Sequence, residues 1–185
     1  MGLVSVFLLL SLVLMEMGTR RETPMSLTTL KQFLDREGIK YIVISHSLAY
    51  TAQSIATLSH IPGQELAKTV IVRIDGRLAM AVLPASRHVD LAMLKSAAGA
   101  NSVELASEMD FKDRFPDCET GAMPPFGNLY GMPVFAHESL AQNKEIAFNA
   151  GTHRELVQLA WEDFERLAKP RIARLVAERS KQRAA

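Results

Sequence analysis

The apolar and polar positions of this 185-residue chain form runs whose period changes repeatedly. Leu27, Leu30, Phe33 and Leu34 recur at helical spacing and predict an amphipathic helix from Ser26 to Glu37, closed by Gly38. Ile39 to Ile44 reads as a strand. His46 to Tyr50 reads as a loop, and Thr51 caps a second helix, Ala52 to Ser59, that Ile61-Pro62-Gly63 breaks. Glu65 to Thr69 then leads into a strand, Val70 to Ile74. Asp75-Gly76 predicts a hairpin turn, with a return strand from Leu78 to Leu83 ended by Pro84. Asp90 caps a helix to Ala98, closed by Gly99, and Val103 to Leu105 is a short strand. Ser107 and Asp110 have capping-box spacing and open a helix to about Phe115. Met132 to Ala136 and Glu145 to Asn149 are further strands, Gly151-Thr152-His153 is a turn, and Trp161 to Ala168 is a helix. Pro170 is expected to start a final basic helix, with Ile172, Leu175 and Val176 on one stripe. Strands and helices are interspersed without strict alternation. The pattern predicts an α/β (α+β) domain built on a mixed sheet with flanking helices.

Glu119 to Gly127 breaks all of these periods. Pro124 and Pro125 remove two consecutive backbone donors and fix φ, while Gly121 and Gly127 supply backbone freedom. A stiff loop with unused backbone N–H groups is expected. Met123 and Phe126 make it apolar as well. Two readings stand side by side: a ligand pocket, and a rigid corner packed under a sheet.

Composition narrows the field. The formal charge of +1 gives no strongly basic surface, so any nucleic-acid contact must be local, and DNA is not an expected partner. One cysteine, Cys118, excludes an internal disulfide and points to a reducing, cytoplasmic setting. The histidines show no metal-ligand spacing, and no metal site is expected. Leu3 to Met15 is apolar but short for a membrane span, and it lacks the basic start and cleavage site of a signal peptide. Residues 1–24 are read as an extension outside the fold, from an over-extended start or a weak anchor, and the domain as 25–170. Residues 171–185 are read as a basic helix or tail, solvated or in contact with RNA phosphates or an acidic partner.

Several residues carry candidate chemistry. Lys68 enters an apolar strand and would pin a phosphate or carboxylate; the plainer reading is a lysine meeting water. His153 and His46 would contact substrate or be merely structural, and Thr51 would be an N-cap or a site hydroxyl. Cys118 would need a histidine in reach to act as a nucleophile.

Taken together, His46 with Thr51-Ala52, Leu66-Ala67-Lys68-Thr69, Phe115 to Glu119, Gly121 to Gly127, and Phe148 to His153 resemble the YbaK family, the prolyl-tRNA synthetase-associated editing domain. The resemblance covers roughly Met25 to Pro170. It implies a barrel-like mixed sheet and hydrolysis of mischarged aminoacyl-tRNA without metal or organic cofactor. It also implies an aminoacyl-tRNA acceptor end as partner, with a synthetase or elongation factor lending affinity. Lys68 matches the family's essential lysine, and Gly121 and Pro125 match its Gly-x-x-x-Pro loop. Thr51 and His153 match pocket positions. His46, Met123, Phe126, Asn149 and Gly151 join them as expected substrate contacts, with Leu129 a further candidate for the wall. Lys68 would hold the terminal nucleotide, amides near Gly121 would meet the oxyanion, and the ribose 2′-hydroxyl would align water. Small amino acids such as alanine or serine on tRNA for proline fit by analogy. Two other readings remain: a tRNA-end or synthetase binder without catalysis, and an ester hydrolase using Cys118.

Overall fold

A computed structural model describes residues 27–47 and 61–177. Thr51, the expected helix 52–59, residues 1–26 and the tail beyond 177 lie outside the described residues. Helix α1 (Leu27–Arg36) is followed by β1 (Tyr41–Ser45), β2 (Leu66–Ile74), β3 (Arg77–Pro84), α2 (Leu91–Ala98), β4 (Val103–Leu105) and the short α3 (Glu108–Phe111). After an irregular stretch come β5 (Val134–His137), β6 (Glu145–Asn149), β7 (Glu155–Ala160), α4 (Trp161–Ala168) and β8 (Arg171–Ala173).

Local chemistry explains most boundaries. Asp75 and Gly76 both take positive φ, 45° and 80°, as a two-residue hairpin between β2 and β3 requires. Asp90 accepts hydrogen bonds from the amides of Ala92 and Met93, and Gly99 ends α2 in the left-handed conformation. Ser107 and Asp110 form the reciprocal capping box that opens α3.

The strands form one mixed sheet in the order β1-β7-β6-β2-β3-β5-β8, with β4 paired to β2. Three pairings are parallel: β2 with β6, β3 with β5 and β5 with β8. The remaining pairings are antiparallel. This is the expected mixed sheet. Two elements differ from expectation. Glu155–Ala160, unassigned from sequence, is strand β7, paired on both sides by β1 and β6. The segment after Pro170 is not a helix over the described residues. Arg171–Ala173 instead extend the sheet beside β5, and the sheet thus runs past the expected boundary at residue 170. The physical reason lies in the burial of Leu175 and Val176, which pack with Leu83, Leu94 and Phe135; a helix stripe would turn them elsewhere.

The main core fills one face of the sheet. It gathers Leu30 and Leu34 of α1, Phe164 and Ala168 of α4, inward residues of the central strands, and Met123, Phe126 and Met132. Phe126 has no exposed surface, and its ring meets Phe33, Phe148 and Phe164 edge-on at centroid distances of 5.7, 5.7 and 5.6 Å. Phe126 therefore ties a loop to both helices and to β6. Truncation at such a site typically costs about 3–5 kcal/mol. Phe126→Ala is expected to lower the unfolding free energy by that amount in urea titration.

Candidate active site

The stretch from Glu119 to Gly127 divides in two. Glu119, Thr120 and Gly121 are exposed, whereas Ala122 to Gly127 are all buried. The buried half is the rigid corner packed under the sheet, and the exposed half is free of that packing. Met123, Pro125 and Phe126, expected as substrate contacts, lie in the buried half; Met123 and Phe126 are members of the main core. Their side chains pack the protein interior, because this half is the apolar cover that α1 and α4 close over. Leu129 is half-buried against the same core.

The exposed half is a tight turn. The Ala122 N–H donates to the Glu119 carbonyl at 2.9 Å, and Gly121 has φ 86°, the positive value that the third position of a type II turn demands. The turn is bolted to a second turn at 151–153. The Glu119 N–H donates to Gly151 O at 2.8 Å, and the Gly151 N–H donates to Ala122 O at 2.9 Å. The Glu119 carboxylate accepts from the His153 N–H at 2.8 Å. The His153 ring donates through Nε2 to Thr120 O at 2.9 Å, since a carbonyl can only accept. His153 was expected to contact substrate. It is buried, and its Nε2 is committed to bracing the turn. No backbone acceptor takes the Thr120 and Gly121 amides among the described residues.

Lys68 is the third residue of β2 and pairs with Leu83 of β3. On its other side, Ala67 pairs with Phe148 in the parallel register, so Lys68 is one step along from Asn149. Asn149 ends β6 and leads straight into Gly151. Sheet register thus brings Lys68, Asn149, Gly151 and the 119–121 turn to one region. His46 joins it from β1, its N–H donating to Arg154 O at 2.9 Å. Lys68 is half-buried and forms no ion pair among the described residues; desolvation pulls its pKa below the ordinary lysine value.

Cys118 is a poor nucleophile here. Burial pushes its thiol up to about 11, the Asp117 charge adds to this, and the facing Tyr130 hydroxyl opposes it only in part. Sequence reasoning missed Glu119 as a brace and saw it only as part of a motif. Its only signal was a carboxylate beside a glycine turn.

A Cβ on Gly121 would sit 3.6 Å from the His153 ring, an ordinary contact, so space is not the constraint. The backbone is: positive φ costs a non-glycine residue roughly 1–2 kcal/mol. Gly121→Ala is expected to lose about that much stability in thermal unfolding and to speed amide exchange at His153, whose N–H depends on the turn.

The family described as "Aminoacyl-tRNA editing domain" matches residues 46–167. The chain is 28% identical over 144 residues to the Multifunctional Ser/Thr-tRNA deacylase ProXp-y of Escherichia coli K12, spanning 75% of this chain and 86% of that one. A Proline--tRNA ligase of Bacillus mycoides is 24% identical over 89 residues, 48% of this chain and 16% of the ligase. In fold, the chain superimposes with a TM-score of 0.71 at 17% identity on a solved structure proposed to be a trans-editing enzyme for prolyl tRNA synthetase, covering 82% of this chain and 97% of the other. Lys68 and the braced glycine turn both lie within the matched span, and the chain belongs to the aminoacyl-tRNA editing domain family.

Proposed function

We propose that the exposed 119–121 turn and Lys68 together form the hydrolytic centre of a trans-editing aminoacyl-tRNA deacylase. The reaction is hydrolysis of the ester that joins a wrong amino acid to tRNA. The observation that carries this assignment is the braced turn: two amides without backbone acceptors among the described residues, held by four hydrogen bonds to the turn that follows β6, the strand β2 pairs with beside Lys68.

An aminoacyl ester is already activated, so the chain needs no strong nucleophile. It needs placement, a water and donors for the developing oxyanion. In this reading the Thr120 and Gly121 amides supply the donors; removing one such donor typically costs about 2.7–4 kcal/mol of barrier. Lys68 holds a phosphate of the terminal nucleotide as a point charge. The terminal 2′-hydroxyl aligns the attacking water. His46, Asn149 and Gly151 line the substrate side. The partner is the acceptor end of a charged tRNA. The formal charge of +1 suits weak unaided binding, supplemented by a synthetase or elongation factor. Such a substrate places the protein in the cytoplasm. No helix among the described residues is long and apolar enough to cross a membrane. The named Ser/Thr activity of the E. coli relative makes serine and threonine, alongside alanine, the first amino acids to test.

The test is a deacylation screen with purified mischarged tRNAs, with Lys68→Ala run in parallel. Loss of a charge-assisted contact is expected to lower kcat/KM by about 10- to 100-fold; a normal rate in Lys68→Ala removes the assignment. A pH profile supplies a second check. The anchoring form of Lys68 is the protonated one. Because desolvation lowers its pKa, activity is expected to fall with rising pH earlier than an ordinary lysine would dictate. Lys68→Arg, which stays charged, is expected to lose that alkaline fall.

A further inference from the structure

The sheet face turned away from the main core carries a small apolar floor. Leu66 of β2, Ala147 of β6 and Leu156 of β7 are buried there with Ile61, and Ile44 and Ala85 pack against them. Alternation decides which polar side chains share that face. Ile146, Phe148 and Ala150 belong to the main core, so Asn149 stands with Ala147 above the floor. Ala67 and Ile71 also belong to the main core, so Lys68 stands with Leu66. On β1, Ile44 pairs with Leu156, and alternation carries His46 to the same side.

Two atoms on this face have no explanation in the fold. Asn149 Oδ1 and His46 Nε2 are buried and have no hydrogen-bond partner among the described residues. The tautomer of His46 follows from its other nitrogen. Nδ1 lies 2.7 Å from the Ser47 carbonyl and so carries the proton, which leaves Nε2 of the neutral ring as an acceptor. Both orphans therefore want a donor. A buried acceptor without one opposes folding, and a ligand that brings the hydrogen relieves it.

Charge narrows the donor. Lys68 projects from the neighbouring strand on the same face. A cationic donor, such as the α-ammonium of an amino acid, would meet like charge there, whereas a neutral hydroxyl would not. We propose that Asn149 Oδ1 accepts a hydrogen bond from a hydroxyl at the aminoacyl-adenosine end of the substrate, with His46 Nε2 as a second acceptor farther along the face. The inference rests on the deacylase reading and adds a recognition role to it. Two hydroxyls share this chemistry: that of the terminal ribose and that of a serine or threonine side chain.

The test compares wild type, Asn149→Leu and Asn149→Asp on seryl- and alanyl-tRNA. Leucine keeps the volume and removes the acceptor; aspartate keeps acceptor oxygens. Asn149→Leu is expected to lower kcat/KM about 10-fold or more, with Asn149→Asp recovering most of it. Thermal unfolding separates this from a structural role, since removing an orphaned acceptor is expected to leave the midpoint unchanged or raised. If Asn149→Leu does not fold, Asn149→Ala takes its place. A loss on seryl-tRNA alone assigns the side-chain hydroxyl, and an equal loss on both assigns the ribose. Unchanged kcat/KM on both substrates overturns the proposal. If wild type hydrolyses no charged tRNA, the deacylase reading fails, and calorimetry with a non-hydrolysable seryl-adenosine amide decides the subsite by itself. A roughly 10-fold weaker affinity in Asn149→Leu supports it; equal affinity, or no binding by wild type, overturns it.

Discussion

The pairing of two glycine turns is the constraint on which the site depends. Four hydrogen bonds of 2.8–2.9 Å join residues 119–122 to 151–153. Each is worth only about 0.5–1.5 kcal/mol net. Together they fix the direction of the amides at 120 and 121, and direction is what the proposed oxyanion role needs before the charge appears. Glu119 contributes twice, through its main chain to Gly151 and through its carboxylate to the His153 amide. His153 answers from the other side by donating to Thr120 O.

The same stretch of chain is rigid for a second reason. Its following half is buried, with Phe126 at a junction of three other rings. Gly127 allows that burial: a Cβ there would lie 2.7 Å from the Met132 carbonyl and 2.8 Å from Val134 Cγ2. The loop therefore serves the core with one half and presents backbone donors with the other. An apolar loop next to polar chemistry needs no ligand to account for its methionine and phenylalanine, because the interior already uses them.

Lys68 gains its place from a non-local pairing. Only two residue pairs join β2 to β6, yet they bring the lysine beside Asn149, about eighty residues later in the chain. The half-buried position strips water from the ammonium, and no carboxylate among the described residues pairs with it; in the proposed reading an anionic ligand does. Cys118 stands in contrast. Burial raises its thiol to about 11, which disfavours the thiolate near neutral pH.

Much of the fold was legible because its signals are local. The Asp75-Gly76 turn, the Asp90 and Gly99 caps, the Ser107–Asp110 box and the helix Trp161–Ala168 each follow from residues a few positions apart. The motif order that marks the family was also legible in one dimension. Three things were not. Glu155–Ala160, rich in residues at home in helices, is a strand because β1 and β6 both pair with it. Ile172, Leu175 and Val176 have helical spacing, yet the open edge of β5 and the apolar face beneath Leu175 and Val176 draw that segment into strand β8 and an extended tail. Phe126 and His153 read as pocket residues, and the tertiary structure makes one a core ring and the other a brace. The sequence by itself determined the caps, turns and family; the fold alone decided which polar atoms among the described residues found partners inside the protein and which did not, because hydrogen-bond partners come from strands far apart in the chain.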